Sequence, residues 1–373
     1  MIKRNIQLNI LLMLSSICFA LSFLSENAME TIEKNTTDFL SCNCFTALSQ
    51  WGIPLLIMTV GCVYLRGEYS FSLEALSVIG YITSRKASVC QNAGNSKDIE
   101  KTKFRNLILR SVISCVLIWF FVALVYISAA HKGEYDIDTL FECMARVLKK
   151  PYYISFYQLV VMLFVFYPLI KRIMSDRKLT TYAAALFFLI AVLNRIISFV
   201  PYLNYLYMFT SQLNWNNFTV YGFYLFLGGL LYQTKLKWYF RMLVYLGGIM
   251  SSSVIYYLNI LSGVEKPDKD LVSALILILS AVQACAVFEA VKSLSEKLSP
   301  KLRVGLFIDS LSENVFIFIP VFICLYYSLR NYINLSFLPF SLEMLIELIF
   351  YYTLALTFCY IIRRIPKVKY LTT

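Results

Sequence analysis

Proton transfer near neutral pH most often rests on histidine, and this chain of 373 residues holds one, His131. It lies just past the end of an apolar run, where a structural or solvated role accounts for it. Carboxylates are the next resource. Asp309 and Glu313 stand four residues apart, so on a helix they share a face. Glu313 lies deeper in its apolar run and is the carboxylate placed to act as a general base. Glu343 and Glu347 have the same spacing at a helix start, where the helix dipole is reason enough for acidic residues. Glu289 reads as an interfacial charge near a helix end. Arg195 follows Asn194 inside another apolar run. Its guanidinium holds an anionic group such as a phosphate, snorkels to the interface, or pairs with a buried carboxylate, and the residue types leave these open. No CxxC pair and no Cys/His cluster has metal-site spacing, so neither a metal nor a bound cofactor is expected.

The elements that must position these groups are apolar helices. Hydrophobic residues make up 59% of the chain and charged residues 15%, with a mean hydropathy of +0.67. A soluble domain needs more polar surface than that. The expected fold class is all-α: a polytopic transmembrane helical bundle of about ten spans, forming one transmembrane domain over residues 1–373. Runs of sufficient length lie at 5–24, 50–65, 107–129, 152–170, 180–199, 219–233, 242–260, 271–291, 306–329 and 341–362. Those at 50–65 and 219–233 are short, and either re-enter the membrane or are lengthened by flanking residues. Lys3 and Arg4 precede the first run, as in a signal peptide, but no small-x-small site follows it, so it reads as a span.

The formal net charge of +12 is explained by topology, and no nucleic-acid partner is expected. With the N-terminus inside, the inner segments 1–4, 66–106, 171–178, 234–241, 292–305 and 363–373 hold 24 Lys and Arg, against 8 in the outer loops. Both termini are therefore expected in the cytoplasm. The ten cysteines lie mostly in apolar runs and read as small buried hydrophobes. Cys42 and Cys44 fall in the predicted outer loop 25–49 and Cys143 in the next one, which leaves a bridge between loops open. The aromatic stretch Tyr202–Tyr207 with Trp215 suits an interfacial belt, or stacking on sugar rings.

Several segments, in order, resemble the acyltransferase 3 family of integral membrane acyltransferases. Trp51-Gly-Ile-Pro-Leu-Leu-Ile-Met-Thr-Val-Gly61 is similar to that family's "VPLFFMISGY" segment. Lys101-Thr-Lys-Phe-Arg-Asn-Leu-Ile-Leu-Arg110, leading to Trp119, looks like its basic "KRxxRLLxPFxxW" approach to the third helix. Tyr152–Leu159, continuing to Tyr167-Pro-Leu-Ile-Lys-Arg172, resembles "HLWFLYxLxxxYLxxPLLRR". Phe218–Gly229 resembles the "YFxLGYYL" helix, and Leu311–Pro320 resembles "SLGIYLIHP". The likeness extends over nearly the whole chain. It implies a helical bundle in the bacterial inner membrane. It also implies transfer of an acyl group, of acetyl type, from a cytoplasmic thioester such as acyl-CoA to a cell-surface or lipid-linked saccharide. Arg105 and Arg110 then stand on the side where the donor's phosphates arrive, and the partners are the lipid bilayer and the saccharide acceptor.

The chain departs from this pattern at the family's histidines. The first helix of the family carries an arginine and, eleven residues later, a histidine; here Arg4 is followed at that spacing by Ser15. Tyr153 stands at the "HLWF" histidine and Ile319 at the "LIHP" histidine. Glu313 is the carboxylate left for the base. Two rival readings come from other classes: an inactive relative that binds or moves a glycan or lipid, and a surface-polysaccharide polymerase or flippase.

Overall fold

The computed structural model describes residues 6–29, 32–34, 36–66, 166–197, 215–264, 269–297, 315–330, 333 and 338–364. Among these residues there is helix and no strand. In chain order the helices are α1 (Ile6–Met29), α2 (Thr37–Ser49), α3 (Gly52–Arg66), α4 (Tyr167–Met174), α5 (Arg177–Ile196), α6 (Trp215–Gln233), α7 (Trp238–Val264), α8 (Lys269–Lys297), α9 (Val315–Leu329) and α10 (Phe340–Arg364). Among the described residues six stretches are long and apolar enough to cross a membrane: Gln7–Met29, Thr37–Cys62, Arg177–Asn194, Trp238–Ser262, Leu271–Ser295 and Phe340–Ile361. Each overlaps an expected span, the second one reaching back from 50–65 to Thr37. Of the remaining four, 107–129 and nearly all of 152–170 lie outside the described residues. The 219–233 run is helical in α6. The 306–329 run is described from Val315.

The predicted outer loop 25–49 is corrected. Helix α1 runs on to Met29, and Thr37–Ser49 is a second helix that extends the second span toward the N-terminus. Thr36 is its N-cap, accepting from the Phe39 N–H at 3.2 Å, and Asp38 sits in the first turn where the dipole favours it. The segment looks polar by composition, yet its buried polar side chains bond to carbonyls of their own helix. Asn43 donates to Phe39 at 2.8 Å, Thr46 to Cys42 at 3.0 Å and Ser49 to Phe45 at 2.7 Å. Helix α2 does not continue straight into α3 because Pro54 has no N–H to give the Gln50 carbonyl, and its ring would crowd that oxygen. The bridge between loops that the sequence left open is not formed at Cys42 or Cys44, which are both free thiols. Cys42 is buried and donates to the Ser25 carbonyl at 2.9 Å, while Thr46 donates to Ser25 Oγ at 3.0 Å, so α1 and α2 are joined by side chains.

Helix contacts group the chain into two units. The first comprises Met1–Arg66, Lys171–Val315 and Leu335–Phe350. Within it α6 lies between α3 and α5, and α8 packs on α7, α3, α5 and α1. Small residues set the closest approaches, as expected where lipid offers no hydrophobic drive for helix association. A Cβ on Gly61 would stand 2.1 Å from the Leu225 carbonyl oxygen, and one on Gly228 would stand 2.1 Å from that of Met58. Cys62 completes the α3–α6 seam by donating to the Gly228 carbonyl at 3.3 Å. On the opposite side of α6, Gly222 faces the Phe187 ring, and Phe187 also meets Phe218 and Phe226 with centroids 5.9 and 5.5 Å away. The outer face of α7, with Leu243, Leu246, Ile249, Met250 and Tyr257, is exposed and apolar, which suits contact with lipid tails.

The second unit comprises Gly67–Ile170, Phe316–Asn334 and Tyr351–Thr373. Its described core is an aromatic ladder. Phe318, Phe322 and Tyr326 recur every four residues along α9 and so share one face. They pack on Tyr351 and Tyr352 of α10: Phe318–Tyr352 at 4.7 Å, Phe322–Tyr351 at 6.3 Å and Tyr326–Tyr351 at 5.4 Å.

Candidate functional site

Ionisable groups inside a helical bundle are costly, so a buried charge marks a place worth reading as a site. In the first unit that place is where α5 and α7 begin and α6 and α8 end. Glu289 of α8 is fully buried. One turn on, Lys292 is also buried, with its Nζ 3.6 Å from Glu289 Oε1. Arg241, in the first turn of α7, brings its Nε to 3.9 Å from Glu289 Oε2 with its side chain a quarter exposed. Lys292 also donates to the Leu231 carbonyl at 2.6 Å and to that of Thr234. These oxygens lie at the carboxyl end of α6, where the last carbonyls lack helical partners and the dipole favours a cation. Arg177, opening α5, reaches Thr234 Oγ1 at 3.5 Å.

The sequence arrangement behind this is simple: Glu289 and Lys292 at i and i+3 on one helix, and an arginine four residues past a short connection. The cluster has two cations to one carboxylate, and Arg241 Nε finds no hydrogen-bond partner among the described residues. It can therefore pin four helix ends together. The expectation that Glu289 is an interfacial charge is corrected, since its carboxylate has no solvent exposure. Nothing local in the sequence distinguished a solvated glutamate near a helix end from one enclosed by α7.

A second feature lies along α7 and α8. Trp51, Tyr245, Gly248, Ser252, Gln283 and Ala286 are among the residues lining an open groove of about 260 Å³. No lining group carries a charge, so the groove offers mainly shape to an apolar chain. At its floor Gln283 donates through Nε2 to the Ala47 carbonyl at 3.0 Å and to Ser252 Oγ at 2.7 Å. Ala47 lies in the last turn of α2, just before the break at Gln50 and Trp51. The glutamine thus serves a helix-end carbonyl that needs a partner away from water.

The residues singled out from sequence are placed as follows. Arg105, Arg110, His131 and Glu313 lie outside the described residues. Arg195 is in the last turn of α5, beside Asn194, whose side chain is buried. Glu343 is in the first turn of α10, as the dipole argument expects. At the departures from the family pattern, Ser15 is fully buried and donates to the Leu12 carbonyl at 2.8 Å, and Ile319 is buried on α9. Among the described residues no group of three or more His, Cys, Asp or Glu could hold a metal ion. No protein-family model matches the chain, and neither the curated proteins nor the solved structures contain a match to it.

Proposed function

We propose that the chain is a multi-pass inner-membrane protein of acyltransferase 3 type, acylating a cell-surface or lipid-linked saccharide, with both termini in the cytoplasm. The observation that carries this reading is the α3–α6 seam. Two of the segments on which the resemblance rests, Trp51–Gly61 and Phe218–Gly229, form that seam, and the glycines near their ends, Gly61 and Gly228, make its closest approaches. In the reaction, an acceptor hydroxyl attacks the thioester carbon. A C–O bond forms, the C–S bond breaks, and the hydroxyl proton passes to a base while the thiolate leaves and is protonated. Glu313 is assigned as that base, Arg105 and Arg110 as partners of the donor's phosphates, and Arg195 as the holder of an anionic group on the acceptor.

A second reading, an inactive relative that binds or moves a glycan or lipid, is favoured by one observation. The Ser15 hydroxyl, at the place of the first-helix histidine, is committed to the Leu12 carbonyl, and Ile319 has no ionisable group at all. Mass spectrometry of surface glycans and lipid-linked intermediates, from cells with and without the gene, separates the two. Loss of a defined acyl mass from otherwise intact glycan supports acyl transfer. Unchanged acylation with altered glycan length or amount supports the second reading and overturns the first.

A further inference from the structure

The cations around the buried cluster divide into two sets. Arg241 and Lys292 are engaged inward. Arg177 and Lys178 at the start of α5, and Lys235 and Lys237 in the α6–α7 connection, are exposed. Those two stretches lie far apart in the chain, yet the fold brings them together. Arg177 bonds to Thr234, and Lys292 fastens the Thr234 carbonyl from behind. Asp176 is the one acidic side chain within these two stretches, and it is occupied as the α5 N-cap, accepting from the Lys178 N–H at 2.9 Å. Directly beside the lysines, Trp238, Tyr239 and Phe240 open α7 with exposed rings, Trp238 at 74%. Their ring centroids lie 6.2 and 4.6 Å apart in sequence order, and Lys237 Nζ sits 5.9 Å from the centre of the Tyr239 ring. Aromatic rings of this kind settle at the headgroup level of a bilayer.

We infer that this surface is a binding site for the headgroup of an anionic phospholipid, with the four exposed cations facing the phosphate and the Trp238–Phe240 rings lying along the upper acyl chains. The inference rests on the reading of the chain as a membrane protein, and does not depend on acyl transfer. Positive-inside topology alone places cations on one side of a membrane. It does not require cations from two connections to converge beside a triplet of exposed rings. Each such cation contributes roughly a fivefold preference for anionic lipid near the surface.

The test uses the full-length protein in nanodiscs that carry brominated phosphatidylglycerol, or brominated phosphatidylcholine, at equal mole fraction in an unlabelled background. Bromine quenches nearby tryptophan, and the part of the quenching lost in W238F reports on Trp238. The expected result is stronger Trp238 quenching by the anionic lipid, with that preference falling on the order of tenfold or more in R177Q/K178Q/K235Q/K237Q. The milder K235Q/K237Q pair should show a smaller loss and guards against misfolding of the fourfold variant, as does a thermal transition matching the wild type. Equal quenching by the two lipids overturns the proposal, as does a preference that survives all four substitutions. Displacement of the anionic lipid by free coenzyme A would assign the surface to a soluble donor, and would also overturn it. Recovery of the protein in the soluble fraction after an alkaline membrane wash would instead remove the membrane reading itself.

Discussion

Lys292 donates a 2.6 Å hydrogen bond to the carbonyl oxygen of Leu231, 61 residues earlier in the chain, while lying 3.6 Å from the buried Glu289 carboxylate. One ammonium thus serves a helix end and an ion pair at once. Replacing Lys292 with methionine removes both, while the more distant Arg241 stays 3.9 Å from the Glu289 carboxylate. The expected cost is about 3–5 kcal/mol, because a buried charge loses its nearer partner. The double variant Glu289→Gln/Lys292→Met should recover a substantial part of that loss. Thermal unfolding in detergent followed by tryptophan fluorescence measures both. A single variant as stable as the wild type would show that the pair is not enclosed as described.

Gly61 and Gly247 give opposite expectations for the same substitution. An alanine at 61 places its methyl 2.1 Å from the Leu225 carbonyl oxygen, so the α3–α6 seam must open, at a cost of about 1–3 kcal/mol or more. At 247 the methyl would meet one Val282 methyl at 3.3 Å. That small crowding is offset by the roughly 0.5–1 kcal/mol that alanine gains over glycine inside a helix. Gly61→Ala should lower the thermal transition clearly and Gly247→Ala should leave it nearly unchanged. Equal effects would contradict the packing.

Gln283 links three helices through one amide nitrogen. Gln283→Leu keeps the volume and removes the donor, leaving the Ala47 carbonyl and Ser252 without that partner. The expected loss is about 1–3 kcal/mol. Hydrogen exchange should rise first in residues 47–55, where α2 gives way to α3. A loss of stability spread evenly over α8 with no change there would speak against a role at the helix break.

Membrane orientation is testable with two added cysteines. Glu33 lies exposed between α1 and α2, and Lys235 lies exposed between α6 and α7. With both termini inside, an impermeant maleimide should label Glu33→Cys on intact spheroplasts and label Lys235→Cys only after lysis. The reverse pattern would invert the topology and move the basic surface to the outside.

Much of the fold was legible in the chain because a bilayer asks little of a sequence: length and apolarity suffice to mark a span. Five of the six apolar crossing helices among the described residues, and the Trp51–Cys62 part of the other, follow from that rule, as does the acidic first turn of α10 from the helix dipole. Helix α2 was not legible, because hydropathy scores Asn43, Thr46 and Ser49 as polar without knowing that each bonds to a carbonyl of its own helix. The candidate site was legible only in part. Glu289 and Lys292 announce a shared face, but their burial is decided by α7 and by the end of α6. Likewise, no local pattern relates Gln283 to Ala47, or Gly61 to Leu225. These contacts depend on which helices become neighbours. Where lipid removes the hydrophobic drive for helices to associate, the choice of neighbours rests on close-packed glycines and on a few buried polar groups that must find partners.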